Sequence, residues 1–156
     1  MVKVLFVCLG NICRSPMAEA VFSDLVNKKG LDDKFVVDSA GVADYHVGEA
    51  PHEGTVSKLE EHGINSNGLT ARQVEQVDFD HFDYIIAMDD DNIEDLNKIL
   101  SSESKAIVKK LLDYFPDGGK ANVPDPYFTG DFDETYQLVS NACKNLLDDI
   151  RINNDI

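Results

Sequence analysis

The chain opens on Val2 to Val7, a near-continuous apolar run rich in β-branched residues. A strand with one wet face would alternate in polarity, so this run predicts a central strand covered on both faces, as in a parallel sheet wrapped by helices. The rest of the chain follows the same plan. Short apolar runs predict further strands over Phe35 to Asp38, Tyr84 to Met88 and Ile107 to Leu111. Helical periods lie between them, over Pro16 to Lys29, Val56 to His62 (stopped by Gly63) and Asn92 to Leu100. A last helix is marked by Phe132, Tyr136, Val139, Cys143, Leu146 and Ile150, which recur at spacings of three and four and make one apolar stripe. Asp131 and Glu134 fit a capping box at its start. The expected class is α/β, with a parallel sheet of about four strands and helices on both faces.

Length and charge narrow the possibilities. The 156 residues suit one domain, here taken as 1–156, and the 43% hydrophobic content is enough for a core without disulfides. No apolar run approaches the roughly 18 residues of a membrane span, and Val4 to Leu9 is too short for a signal peptide. A cytoplasmic protein is expected, with export by a route needing no signal peptide left open. The net charge of −15 repels nucleic acid and anionic membrane surfaces, so neither is an expected partner. Residues 1–30 are the exception, with Lys3, Arg14, Lys28 and Lys29 against Glu19 and Asp24. An anion site therefore belongs near the N-terminus. Three sparse cysteines, Cys8, Cys13 and Cys143, lack zinc-ligand spacing and suit a reducing compartment. Cys143 falls on the apolar stripe and reads as an inert core thiol.

Between the first strand and the first helix lies Cys8-Leu9-Gly10-Asn11-Ile12-Cys13-Arg14-Ser15-Pro16, in the place where open α/β sheets hold their ligands. Gly10 and Asn11 tolerate left-handed backbone, so a tight loop can turn several N–H groups inward as an anion nest. Ser15 as N-cap and Pro16 as first helical residue would aim the positive helix end at the same point. Cys8 puts a sulfur beneath the anion, and Arg14 a planar fork that can hold two phosphoryl oxygens. The combined positive potential should ionise Cys8 at neutral pH, giving a thiolate nucleophile for phosphoryl transfer. The fold expectation is thus completed by a phosphate-binding loop after the first strand.

This segment resembles the Cys-x5-Arg-Ser signature of the low-molecular-weight protein tyrosine phosphatases. The resemblance continues through Asp38-Ser39-Ala40-Gly41, Phe82-Asp83-Tyr84-Ile85 with Met88-Asp89, and Asp125-Pro126-Tyr127 before the final helix. It implies hydrolysis of phosphotyrosine and aryl phosphates in two steps through a phosphocysteine on Cys8. In that scheme Arg14 and the amides of Leu9, Gly10, Asn11, Ile12 and Cys13 bind the phosphoryl oxygens, and Asp125 protonates the leaving phenolate. Ser15 supports the thiolate, while Asn11 with Ser39 braces the loop. The pocket wall implied by the resemblance is Tyr45, Tyr127 and Phe128, with Leu9 and Ile12 supplied by the loop. Many relatives carry a second tyrosine where Phe128 stands, which removes one half of a phosphorylatable pair. The implied partners are tyrosine-phosphorylated proteins or peptides, with inorganic phosphate and other tetrahedral oxyanions entering the same site.

The acid has physical support of its own. Pro124 and Pro126 bracket Asp125, and the second bars it from helical angles, so the loop is stiff. Asp113, Asp117, Asp131 and Asp133 are expected to surround it with a field that favours its protonated form. Cys13, five residues after Cys8, could close a protective disulfide with it under peroxide. Asp89-Asp90-Asp91 reads as a helix start favoured by the macrodipole rather than a metal site. His46, His52, His62 and His81 lack paired ligand spacing, so no metal and no organic cofactor is expected.

Four other readings share parts of this pattern. Arginine-specific phosphatases typically have threonine where Ile12 stands. Arsenate reductases need exchange cysteines in a mobile segment, and only the packed Cys143 is available. A sugar-transport phosphocarrier needs neither Arg14 nor Asp125, and a noncatalytic phosphoprotein-binding module would not need both Cys8 and Asp125.

Overall fold

The structure, a computed structural model, describes residues 1–100 and 103–156. Four parallel strands form one sheet: β1 (Val2–Cys8), β2 (Phe35–Gly41), β3 (Tyr84–Ala87) and β4 (Ile107–Lys110), in the order β2-β1-β3-β4. The first strand is central, as its composition predicts. Val4, Phe6 and Cys8 join a core shared with α1 (Arg14–Lys28) and α6 (Phe132–Asn154). Leu5 and Val7 face the other way, into a core with Ile85, Ala87, Phe79 and Leu96. Two of those belong to α3 (Asp78–His81) and α4 (Asp90–Ile99). Two dry faces explain the unbroken apolar run.

The apolar stripe of α6 is confirmed: Val139, Cys143, Leu146 and Ile150 are all fully buried. Its capping box is half formed. Asp131 accepts from the Glu134 amide at 2.9 Å, whereas the Glu134 carboxylate accepts from Lys120 at 2.8 Å. α2 (Glu53–Glu61) starts three residues before the expected Val56, because His52 caps it by accepting from the Gly54 amide through Nδ1. His62 closes it, with Gly63 left-handed beyond. The four-residue α3 and α5 (Pro126–Thr129) and the 3-10 turns at Leu111–Tyr114 and Pro116–Gly118 carry too short a period to be legible.

The chain passes from β1 to β2 on one side and then crosses to β3 on the other. The carboxyl ends of β1 and β3 therefore diverge at a topological switch point, and the crevice between them opens on the loop after β1. Among the described residues no helix is long and apolar enough to cross a membrane.

Candidate active site

The backbone of the loop after β1 is tied outward. The Cys8 carbonyl accepts from Val42 N at 3.0 Å, Leu9 from Ala43 N at 3.0 Å, Ile12 from His52 N at 2.7 Å, and Cys13 from Thr55 Oγ1 at 3.0 Å. In a trans peptide the following N–H points opposite to the carbonyl, and no cis bond occurs among the described residues. The amides of Leu9, Gly10, Cys13 and Arg14 are thereby turned toward the inside of the loop. Asn11 N donates to Cys8 Sγ at 3.3 Å, so the sulfur sits at the focus of the nest. Close approach of β2 makes this possible: a Cβ on Gly41 would lie 2.8 Å from the Leu9 carbonyl oxygen.

Two local expectations are corrected. Only Asn11, at φ 57°, is left-handed; Gly10 is needed instead for space, since a Cβ there would come within 3.0 Å of the His46 ring. Ser15 is not the N-cap. The helix begins at Arg14 after Cys13, with no side-chain cap bond, and Ser15 Oγ lies 3.0 Å from Cys8 Sγ. The hydroxyl is more useful at the sulfur, because the loop itself supplies the helix with its first carbonyl, Cys13 O, which accepts from Met17 N. Asn11 Nδ2 donates to Ser15 Oγ at 2.8 Å and to Ser39 Oγ at 2.9 Å, while its Oδ1 accepts from Arg72 N at 3.0 Å. The left-handed residue is thus pinned by three bonds, and Ser39 on β2 is brought to the loop.

Arg14 is 2% exposed, a buried cation that needs partners. Nη1 donates to Asp89 Oδ2 at 2.6 Å and to the Val123 carbonyl at 3.1 Å, and Nη2 to Asp125 Oδ2 at 3.2 Å. Burial alone would lower the guanidinium pKa, but Cys8, Asp89 and Asp125 outweigh it and leave it raised. The pairing of Asp89 with Arg14 was not foreseen from the sequence. Asp89 Oδ1 caps α4 through the Asn92 amide at 2.8 Å, as an acid at a helix start should, and its second oxygen takes Arg14. Nothing local in an acidic triplet signals that second role.

Asp125 caps α5 by accepting from the Tyr127 amide at 3.1 Å, and Pro126 is the first helical residue. The expected acidic surround is not what holds it: Asp113 accepts from Lys110 N, Asp131 caps α6 and Asp133 pairs with Lys58. Its direct partners are Arg14 and its own helix start. Cys8, Leu9, Gly10, Ile12 and Cys13 form the floor and Asp125 one side of a cavity of about 290 Å³. Tyr45, Tyr127 and Phe128 complete the wall, 71%, 53% and 74% exposed. Tyr127 and Phe128 meet edge-on at 5.2 Å. His46 joins the wall unanticipated, its Nδ1 2.9 Å from Glu49 and its ring 6.1 Å from Tyr127. Cys13 is a free, buried thiol pushed up to about 12, by burial first and then by Asp125 and Cys8. Cys143 is buried in the core and burial raises it too.

Residues 3–155 match the family model described as low molecular weight phosphotyrosine protein phosphatase. The low molecular weight protein-tyrosine-phosphatase YfkJ of Bacillus subtilis is 53% identical over 151 residues, 97% of each chain, and its crystal structure superposes with a TM-score of 0.95. The low molecular weight phosphotyrosine protein phosphatase of Sus scrofa is 42% identical over 152 residues, 96% of each chain. An arginine phosphatase of Drosophila shares the fold at 36% identity and a TM-score of 0.89, over 96% of this chain and 98% of its own. With nearly its whole length matched, the chain belongs to the low molecular weight phosphotyrosine protein phosphatase family and is a protein tyrosine phosphatase.

Proposed function

We propose that this phosphatase hydrolyses phosphotyrosine and aryl phosphate monoesters through a phosphocysteine on Cys8. The observation that carries this reading is the convergence on one aromatic-walled cavity of a sulfur in an amide nest, a buried guanidinium and a carboxylate. Asn11 N donates to Sγ, and to a thiolate, which has no proton to give, the Ser15 hydroxyl 3.0 Å away can only donate, so both bonds favour the anionic form. Sγ attacks phosphorus, the bond from phosphorus to the aryl oxygen breaks, and Asp125 passes its proton to that oxygen. Water then attacks phosphorus, the S–P bond breaks, and Asp125 takes the water proton, releasing phosphate and restoring the thiolate.

Arg14 and Asp125 are coupled in this scheme. Asp89 and the Val123 carbonyl hold Nη1. Nη2 is held by Asp125 most strongly while that carboxylate is charged. Once protonated to act as an acid, Asp125 loses its ion pair, and Nη2 becomes available to a phosphoryl oxygen. Tyr45, Tyr127 and Phe128 suit a flat aryl ring, and Ile12 offers no hydroxyl to orient water toward a phosphoramidate.

The test is metal-free turnover of p-nitrophenyl phosphate and phosphotyrosine peptides, with inhibition by vanadate, loss in Cys8→Ser, and phosphate trapped on a thiol by mass spectrometry. Phosphoarginine peptides serve as the competing substrate. Preference for them, or full activity in Cys8→Ser, would sink the reading.

A further inference from the structure

The contacts that buttress the Cys8 loop run away from the cavity and end on a carboxylate that the proposed reaction does not use. Asn11 Nδ2 has two hydrogens and no lone pair to offer. It donates one to Ser15 Oγ and one to Ser39 Oγ, so each hydroxyl keeps its own proton for another partner. For Ser15 that partner is Cys8 Sγ at 3.0 Å, and for Ser39 it is Glu19 Oε1 at 2.6 Å. Ser39 accordingly donates to Glu19, and Ser15 donates to Cys8 Sγ once that sulfur is a thiolate with no proton of its own.

We propose that Glu19 is a positioning residue: as a carboxylate it accepts the Ser39 proton, which keeps Ser39 an acceptor for Asn11 and leaves the Ser15 proton aimed at Cys8. The proposal rests on the reading of Cys8 as nucleophile. Protonated Glu19 would present a hydroxyl to Ser39 and turn a short charge-assisted bond into a neutral one roughly half as strong. The weakening then passes inward through a polarised network.

The surroundings place this switch within the working pH range. Burial pushes the Glu19 carboxyl up to about 7; Asp38 on β2 adds to the rise, against the Ser39 bond and Arg72. Arg72 is shared, since Nη2 pairs with Asp38 at 3.1 Å and Nη1 with Asp78 at 3.0 Å. On the open side Glu19 lines a shallow groove with Asp24 of its own helix, which pairs with Lys28. The facing wall, Ile64, Asn65, Asn67 and Leu69, is neutral.

Glu19→Gln keeps the shape and the accepting oxygen but cannot ionise. The quantity to measure is kcat/KM for p-nitrophenyl phosphate, variant over wild type, from about pH 5 to 8.5. Taking the ratio cancels every titration common to both enzymes. It is expected to be near one at the acid end and to fall to about one fifth at the alkaline end, with a midpoint near 7. Alkylation of Cys8 by iodoacetamide, which does not involve Asp125, should show the same trend. In a Ser39→Ala background, where the chain is cut one link inward, Glu19→Gln should have no further effect. A ratio flat across pH, or an undiminished effect in that background, would overturn the proposal. An active Cys8→Ser would instead overturn the reading on which it rests.

Discussion

Asp125 carries two duties on one carboxylate, an ion pair with Arg14 and a helix cap, so its removal should be read through a substrate series rather than one rate. Asp125→Ala is expected to slow phosphotyrosine, a poor leaving group, by about 10² to 10⁴-fold, and to spare an aryl phosphate with an acidic leaving group. Equal losses on both substrates would remove Asp125 as the acid. Glu19 supports a prediction about stability. Its folded pKa, near 7, lies above its ordinary value of 4.5. Between those limits the folded state binds the extra proton, so stability present below about pH 4.5 is lost as pH rises through 7. Thermal melts should show Glu19→Gln gaining on wild type above pH 7, and parallel pH profiles would contradict the assignment. Cys8, Arg14 and Asp125 were legible because each stands in a motif with local grammar. Asp89, His46 and Glu19 were not, since the contacts that bring them to the site, with Arg14, Tyr127 and Ser39, lie on other segments and no period or spacing reports such pairings.

At the level of elements, the strands were legible because β1 and β3 are apolar on both faces, and α6 because its stripe is long. Starts of helices were less so. Ser15-Pro16 has the residues of a helix start, yet the sulfur claims the serine and the helix begins one residue earlier, at Arg14. At α2 the cap is the unusual His52, whose ring also stacks on Phe132 at 5.1 Å. That junction is tight: a Cβ on Gly54 would fall 2.5 Å from the Phe132 ring. Gly54→Ala should therefore cost about 1 to 3 kcal/mol by overpacking, measured by urea unfolding, although alanine is the better helix former. A neutral or stabilising result would mean that α2 and α6 are free to separate. Because His52 N also holds the Ile12 carbonyl, the same variant should lower activity in step with stability.

For the whole molecule, the dominant field is repulsive to the substrate. A net charge of −15 surrounds a cavity meant for a dianion, and the loop amides and Arg14 oppose it at short range. Raising salt from about 10 to 150 mM shortens the screening length from about 30 to 8 Å, so kcat/KM should rise for acidic phosphopeptides and fall for strongly basic ones. Identical salt profiles for the two would show that the global charge is not felt at the mouth. The architecture also allots tasks unequally among connections. Sulfur and guanidinium ride on one crossover, whereas the carboxylate and two of the four ring walls share the few residues between Val123 and the left-handed Gly130. A lineage that remodels this short stretch to welcome a new side chain disturbs the proposed proton donor at the same stroke. Tyr45, borne on a separate stretch, can drift without that penalty, and diversification of substrate choice is expected to begin there.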